Sequence, residues 1–253
     1  MSNNSSIRIA RWYGEPLGTA ALAAELDVIG QGTRRFHGDS MLWLGPKQPE
    51  TGFLDHCMVR HKFYGVLANS SLTTASQYSG LFYADVDCLP MGPGSMHGIV
   101  SQHAIDCAQD PRTAIRELAR VLAPGGWLLI VGFNPYSMWY LRSLYSHFRE
   151  DVFTGTHFVS PYRMGDWLKV LGFEVDDKLR FLMYRPPFER NFLQPENWSG
   201  IKKSLENWHV PFGGVYYLLA RKLSTRIPLT GSMQRSQRLS GRGLPQTLMN
   251  RYS

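Results

Sequence analysis

His103 and Asp106 are the side chains of this 253-residue chain whose types and spacing best suit proton transfer. An imidazole titrates near neutral pH, and a carboxylate three positions on shares its face if the segment is helical, so the pair could accept and pass on a proton. The competing reading is a lone histidine that is simply packed or solvated. Asp85, in the run Ala84-Asp85-Val86-Asp87, offers a carboxylate that either accepts hydrogen bonds from an amino group or caps a turn. Asn69, after an apolar run, could accept one hydrogen bond and donate another, or serve as a plain turn residue. Cys57, Cys88 and Cys107 are far apart and form no Cys-x-x-Cys pair, which argues against a disulfide framework or a metal site and for a reducing compartment.

The elements that must hold these groups are clearest over residues 110–133. Asp110 can cap a helix, Pro111 suits its first position, and Ile115, Leu118, Ala119 and Leu122 recur along one face. Pro124 cannot continue that helix, Gly125 and Gly126 permit a reversal, and Trp127–Val131 reads as a strand covered on both sides. A helix over 16–30 carries Leu17, Ala20, Ala21, Ala24 and Val28 on one side, with Trp12 and Tyr13 as apolar anchors ahead of it. Short strands are expected at 41–44, 62–66, 81–84, 98–101, 127–133, 173–175 and 215–220, and a further helix begins at Ser160-Pro161. This alternation predicts an α/β chain: a Rossmann-like, doubly wound, mostly parallel sheet of about seven strands. The expected organisation is an N-terminal helical extension over 1–35, the main domain over 36–225 and a tail over 226–253. Residues 136–165 and 185–214 are expected to cover the site.

At 43% hydrophobic, the chain can bury a large core. The net charge of +7 resides in the C-terminal 33 residues: from 221 on the chain holds Arg221, Lys222, Arg226, Arg235, Arg238, Arg242 and Arg251 and no acid, so the rest is neutral overall. Such a tail could hold nucleic acid or an anionic surface, but a solubilising role is the plainer expectation. No run approaches the roughly 20 apolar residues of a membrane span, and Met1–Ser6 lacks an apolar signal core, so a cytoplasmic location is expected. The alternating aromatic and basic residues of 180–188 read as a packed strand with arginine stems lying along it.

The segment Ala84 to Pro90, the strand Gly94 to Ser101, and the run from Asp110-Pro111 to Gly126 together resemble the class I S-adenosylmethionine-dependent methyltransferases of type 11. A closer resemblance, to the bacterial YafS-like proteins, rests on Trp12 before Glu15-Pro-Leu-Gly18, on Gly132-Phe-Asn-Pro135, and on Ala220-Arg-Lys222 with Ile227-Pro-Leu-Thr230. The resemblance implies S-adenosylmethionine as cofactor and names no acceptor; the aromatic covering segments 136–165 and 185–214 suit a small or amphipathic organic one. Gly45 and Lys47 would lie beside its methionine portion, Asn69 would contact the ribose, Asp85 and Val86 the adenine, and Ser101 and Gln102 both cofactor and acceptor. His103 and Asp106 would then be the catalytic pair. In the loop Gly45-Pro46-Lys47-Gln48-Pro49, two prolines remove two backbone donors, so the usual glycine cradle is degraded and the loop also reads as a simple strand end. That departure supports an alternative, a binding or regulatory protein that keeps the fold without turnover. Asn134-Pro135-Tyr136 is similar to a signature of amino-methylating nucleic-acid enzymes but follows the wrong strand.

Overall fold

Asp110 and Pro111 start a helix for the reason their chemistry gives. In the computed structural model, which describes residues 4–67, 80–145, 152–176, 180–182 and 213–224, helix α3 spans Pro111–Val121. The Asp110 carboxylate accepts from the backbone N–H groups of Arg112 at 3.1 Å and Thr113 at 3.2 Å, two donors that the first turn leaves open. Ser160 does the same for Pro161–Val170 by accepting from the Arg163 N–H at 3.2 Å. Changing Ser160 to alanine is expected to cost about 1 kcal/mol, read as a lower urea midpoint with an unchanged slope. An unshifted midpoint would show that this cap carries no stability.

The reversal expected at Pro124–Gly126 is instead an irregularity within a strand. Strand β5 runs from Leu122 to Phe133, and its register against β4 (Met96–Gln102) slips between Met96, opposite Leu122, and Gly98, opposite Trp127. Gly125 takes φ 80°, and a Cβ on Gly126 would meet the carbonyl oxygens of His97 at 2.8 Å and Ala123 at 2.9 Å. Backbone atoms cannot give way as a side-chain end can, so both positions require glycine.

The remaining elements are α1 (Asn4–Trp12), α2 (Pro16–Thr33), β1 (His37–Gly45), β2 (Met58–Val66), β3 (Leu81–Tyr83), α4 (Met138–Tyr145), α5 (Pro161–Val170), β6 (Phe173–Val175), β7 (Arg180–Leu182) and β8 (Val215–Lys222). Strand order is β3-β2-β1-β4-β5-β8-β6; β1 to β5 pair in parallel and β8 runs antiparallel to β5. Strands β6 and β7 pair with successive stretches of the same edge of β8, so the sheet is seven strands wide. This is the doubly wound, mostly parallel sheet read from the sequence. Arg180–Leu182 is a strand as expected, whereas residues 183–212, with most of the second anticipated covering segment, and the tail from 225 on lie outside the described residues.

Both faces of the sheet are covered. On one, Ile9, Trp12, Leu17, Val28 and Ile29 of α1 and α2 bury Met41, Trp43, Val100 and Leu129; on the other, Ile115, Leu118, Met164 and Leu168 of α3 and α5 bury Leu42, Leu44, Ile99 and Ile130. Successive side chains of a strand point to opposite faces, so Met41 to Leu44 is apolar without a break because both sides are dry.

The order of the strands reverses between β1 and β4, the switch point beyond whose carboxyl ends such sheets hold ligands in a crevice. The β1–β2 crossover, residues 46–57, is built of turns, bends and irregular chain and contains no helix. It is about as short as a parallel crossover can be.

Candidate functional site

Glu25 lies where the periodicity of α2 calls for an apolar residue: Leu17, Ala21, Val28, Ile29 and Gly32 share its buried face. An acid in that stripe must be paired. The Glu25 carboxylate accepts from the Tyr13 hydroxyl at 2.9 Å, from Gln102 Nε2 at 2.7 Å and from His103 Nε2 at 3.1 Å. On its other side His103 presents Nδ1 to Asp106 Oδ2 at 2.8 Å, and the same oxygen accepts the Phe133 N–H at 2.9 Å. The imidazole stacks on the Phe133 ring with centroids 3.9 Å apart. None of Tyr13, Glu25, Gln102, His103 and Asp106 is more than 2% exposed.

The backbone is bent to make this contact. His103 has φ 51°, and among the described residues no other non-glycine has a positive φ. This conformation costs a non-glycine residue about 1–3 kcal/mol. Its N–H donates to the Val131 carbonyl at 2.9 Å and its carbonyl accepts the Cys107 N–H at 3.1 Å, so the turn is tied at both ends. The chain thus leaves β4 with the ring turned between the two carboxylates.

Burial alone would strip His103 of its charge, but the Glu25 carboxylate, followed by the hydrogen bond to Asp106, outweighs it and pushes the imidazole up to about 9. The ring is therefore an imidazolium at neutral pH, with both N–H groups donating. Burial raises the Asp106 carboxyl, against the pull of His103. Burial, reinforced by Glu25, also holds the Tyr13 hydroxyl well above its ordinary range.

The expected site residues divide into three groups. Gln102, His103 and Asp106 are brought together, and Gly45 lies against them: a Cβ there would sit 3.1 Å from Trp43 Nε1 and 3.2 Å from Gln102 Oε1. Its carbonyl accepts the Leu67 N–H at 3.2 Å. Asp85 and Val86 follow β3; Asp85 is exposed and accepts the Asp87 N–H at 3.2 Å, closing its own turn, while Val86 is buried. Lys47 is exposed, and its carbonyl accepts from Trp43 Nε1 at 3.3 Å. Asn69 lies outside the described residues. Ser101 is fully buried, and its hydroxyl has no hydrogen-bond partner among the described residues. His97 plays a structural part beside Ser40 at 3.3 Å, as does Asn134, whose amide donates to the Gly213 carbonyl at 2.8 Å.

Comparison with known proteins bears on this arrangement. The family model described as a methyltransferase domain matches residues 63–130, from within β2 to within β5. The match covers about a quarter of the chain and takes in the central strands. The chain is 35% identical over 147 residues to the uncharacterized protein YafS of Escherichia coli K12, covering 58% of this chain and 56% of that protein. It is also 30% identical over 109 residues to the malonyl-[acyl-carrier protein] O-methyltransferase of Halorhodospira halophila, covering 42% and 37% respectively. The chain thus spans about half or less of the curated relatives it matches. A solved SAM-dependent methyltransferase from Thermotoga maritima superposes with a TM-score of 0.58 at 17% identity, over 84% of this chain and 93% of that one, which shows the fold.

Within the matched segment, Glu117 and Arg120 prove to be a brace. Glu117 accepts the Leu89 N–H at 2.9 Å and takes two hydrogen bonds from Arg120, at 2.7 and 2.6 Å, which fixes the segment carrying Asp85 and Val86 to α3. The hydrogen bonds from Arg120 hold the Glu117 carboxyl below its usual range.

Proposed function

We propose that the chain is a cytoplasmic, S-adenosylmethionine-dependent methyltransferase acting on a small organic acceptor. The observation that carries this reading is the extent of the family match: residues 63–130 include the ends of β3 and β4, with Asp85, Val86, Ser101 and Gln102. Two features fit the cofactor. Asp85 offers an exposed carboxylate beyond β3, and Ser101 Oγ is a buried polar atom without a described protein partner at the end of β4. Asp85 would accept from the adenine amino group with Val86 beside the base, while Ser101 and Gln102, with Gly45, Lys47 and Asn69, would hold the rest of the molecule.

The cofactor supplies an electrophilic methyl group. The chain's own task is to orient the acceptor and exclude water, which can lower a barrier by roughly 7–11 kcal/mol without a conspicuous base. In the described arrangement both ring nitrogens of His103 face carboxylates and the ring is buried, so it holds its proton rather than removing one. We therefore assign His103 and Asp106 to positioning the end of β4.

Titration calorimetry with S-adenosylhomocysteine tests this reading. The wild-type chain is expected to bind saturably, and Asp85→Ala about tenfold more weakly, the worth of one charge-assisted hydrogen bond. No saturable heat at millimolar ligand would overturn the proposal. A second reading, a ligand-binding regulatory protein, is favoured by the helix-free crossover 46–57, which presents no helix N-terminus to an anionic group beyond β1. It predicts binding of S-adenosylmethionine without consumption of it by any acceptor fraction. A nucleic-acid acceptor held by the basic tail would require salt-sensitive binding that disappears on deletion of residues 228–253.

A further inference from the structure

We propose that Glu25 is a positioning residue that latches helices α1 and α2 across the ligand crevice, making the N-terminal extension a clasp that opens to admit ligand. The proposal rests on the methyltransferase reading for the identity of the ligand. Its basis is where the extension is tied. Ser6 Oγ of α1 donates to the carbonyl of Leu67, just beyond β2, at 3.2 Å. Tyr13 and Glu25 meet Gln102 and His103 at the end of β4. Arg8 Nη2 donates to the Thr154 carbonyl at 2.8 Å, and Trp12 packs edge-on to Trp139 and Phe153, with centroids 5.2 and 5.9 Å away, in the segment beyond β5. The extension therefore touches the chain beyond three of the strands whose carboxyl ends frame the crevice.

Between β1 and β4 the crevice floor is filled by the chain's own groups. Gln102 lies against Gly45 on one side and hydrogen-bonds Glu25 and Tyr13 on the other. A ligand reaching the end of β4 has to part these contacts. Of the ties from α1 and α2 to the ends of β2, β4 and β5, Glu25 with His103 is the only ion pair among the described residues. The remainder are the hydrogen bonds of Gln102 to Glu25 and Tyr13, those of Ser6 and Arg8 to backbone carbonyls, and the Trp12 packing. His103 is also the residue held at positive φ, so the latch closes on the most strained point of the described backbone.

The test is hydrogen–deuterium exchange of the full chain, wild type and Glu25→Gln, combined with stopped-flow binding of S-adenosylhomocysteine followed by tryptophan fluorescence. Glutamine keeps the shape and removes the charge. The expected result is at least tenfold faster exchange in residues 5–25 with protection of β4 and β5 unchanged within twofold, and association with the ligand about tenfold faster. A purely structural role would speed exchange in β4 and β5 as much as in the extension, which would overturn the proposal; so would unchanged exchange in residues 5–25. Should Glu25→Gln not fold, Tyr13→Phe, which removes one donor to the same carboxylate, is expected to shift the same exchange about threefold. If the wild type fails to bind the ligand, the functional reading falls, while the exchange result still decides the latch.

Discussion

Replacing His103 with alanine is expected to lower the folding free energy by about 3–5 kcal/mol, the usual cost of removing one partner from a buried ion pair. The two carboxylates it separates, Glu25 and Asp106, are 0% and 1% exposed and would be left facing one another with no cation between them. The stack on Phe133 would be lost as well. Part of the loss returns through the backbone, because His103 sits at φ 51° and glycine adopts that conformation without the penalty a Cβ brings. His103→Gly should therefore be less destabilised than His103→Ala by about 1 kcal/mol. Urea unfolding of both variants provides the measurement. A loss below about 1 kcal/mol for the alanine variant would show that the cluster is not held by charge.

Raising the pH is expected to unlatch the same cluster. The folded pKa of His103 is pushed up to about 9, whereas an unfolded histidine titrates near 6.5. The folded state binds the proton more tightly, so the stabilisation is complete below about pH 6.5 and disappears as pH rises through 9. A shift of that size corresponds to about 3 kcal/mol. The groups facing the ring do not reverse the sign. Burial keeps Tyr13, Cys107 and Tyr216 neutral across this range, and Asp106, raised by burial, also favours the folded state more as pH falls. His157 lies outside the pair, its backbone N–H donating to the Asp106 carbonyl at 2.8 Å. Unfolding free energies measured from pH 6 to pH 10 should fall most steeply between 7 and 9, and Glu25→Gln should flatten the curve. A wild-type profile that is level or rises over that interval contradicts the assignment of an imidazolium.

Much of this architecture follows from local chemistry. The Asp110-Pro111 start of α3, the strands on either side of it and the helix beginning at Pro16 are set by caps, proline and apolar period, which act over a few residues. Helix α1 has only nine residues and relies on Trp12 packing against distant rings, so sequence showed its anchors and not the helix itself. The slip within β5 depends on how Gly126 meets His97 across the sheet, a contact between strands that no local pattern encodes.

The candidate site was legible on one side only. Gln102, His103 and Asp106 stand together in sequence and come together in space, yet their partner Glu25 is 78 residues from His103. Its one local signal was a carboxylate within the apolar stripe of α2. The role of His103 changes once Glu25 is in place, because a base needs a free nitrogen and this ring has both engaged.

The most direct test of the central claim is a crystal structure of the full chain with S-adenosylhomocysteine. The account predicts the adenine at Asp85 and Val86 and the remainder toward Ser101 and Gln102, with Tyr13 and Glu25 displaced from their contacts with Gln102. A chain saturated with the ligand in which Tyr13, Glu25, Gln102 and His103 keep every contact, with the ligand bound elsewhere, would contradict it.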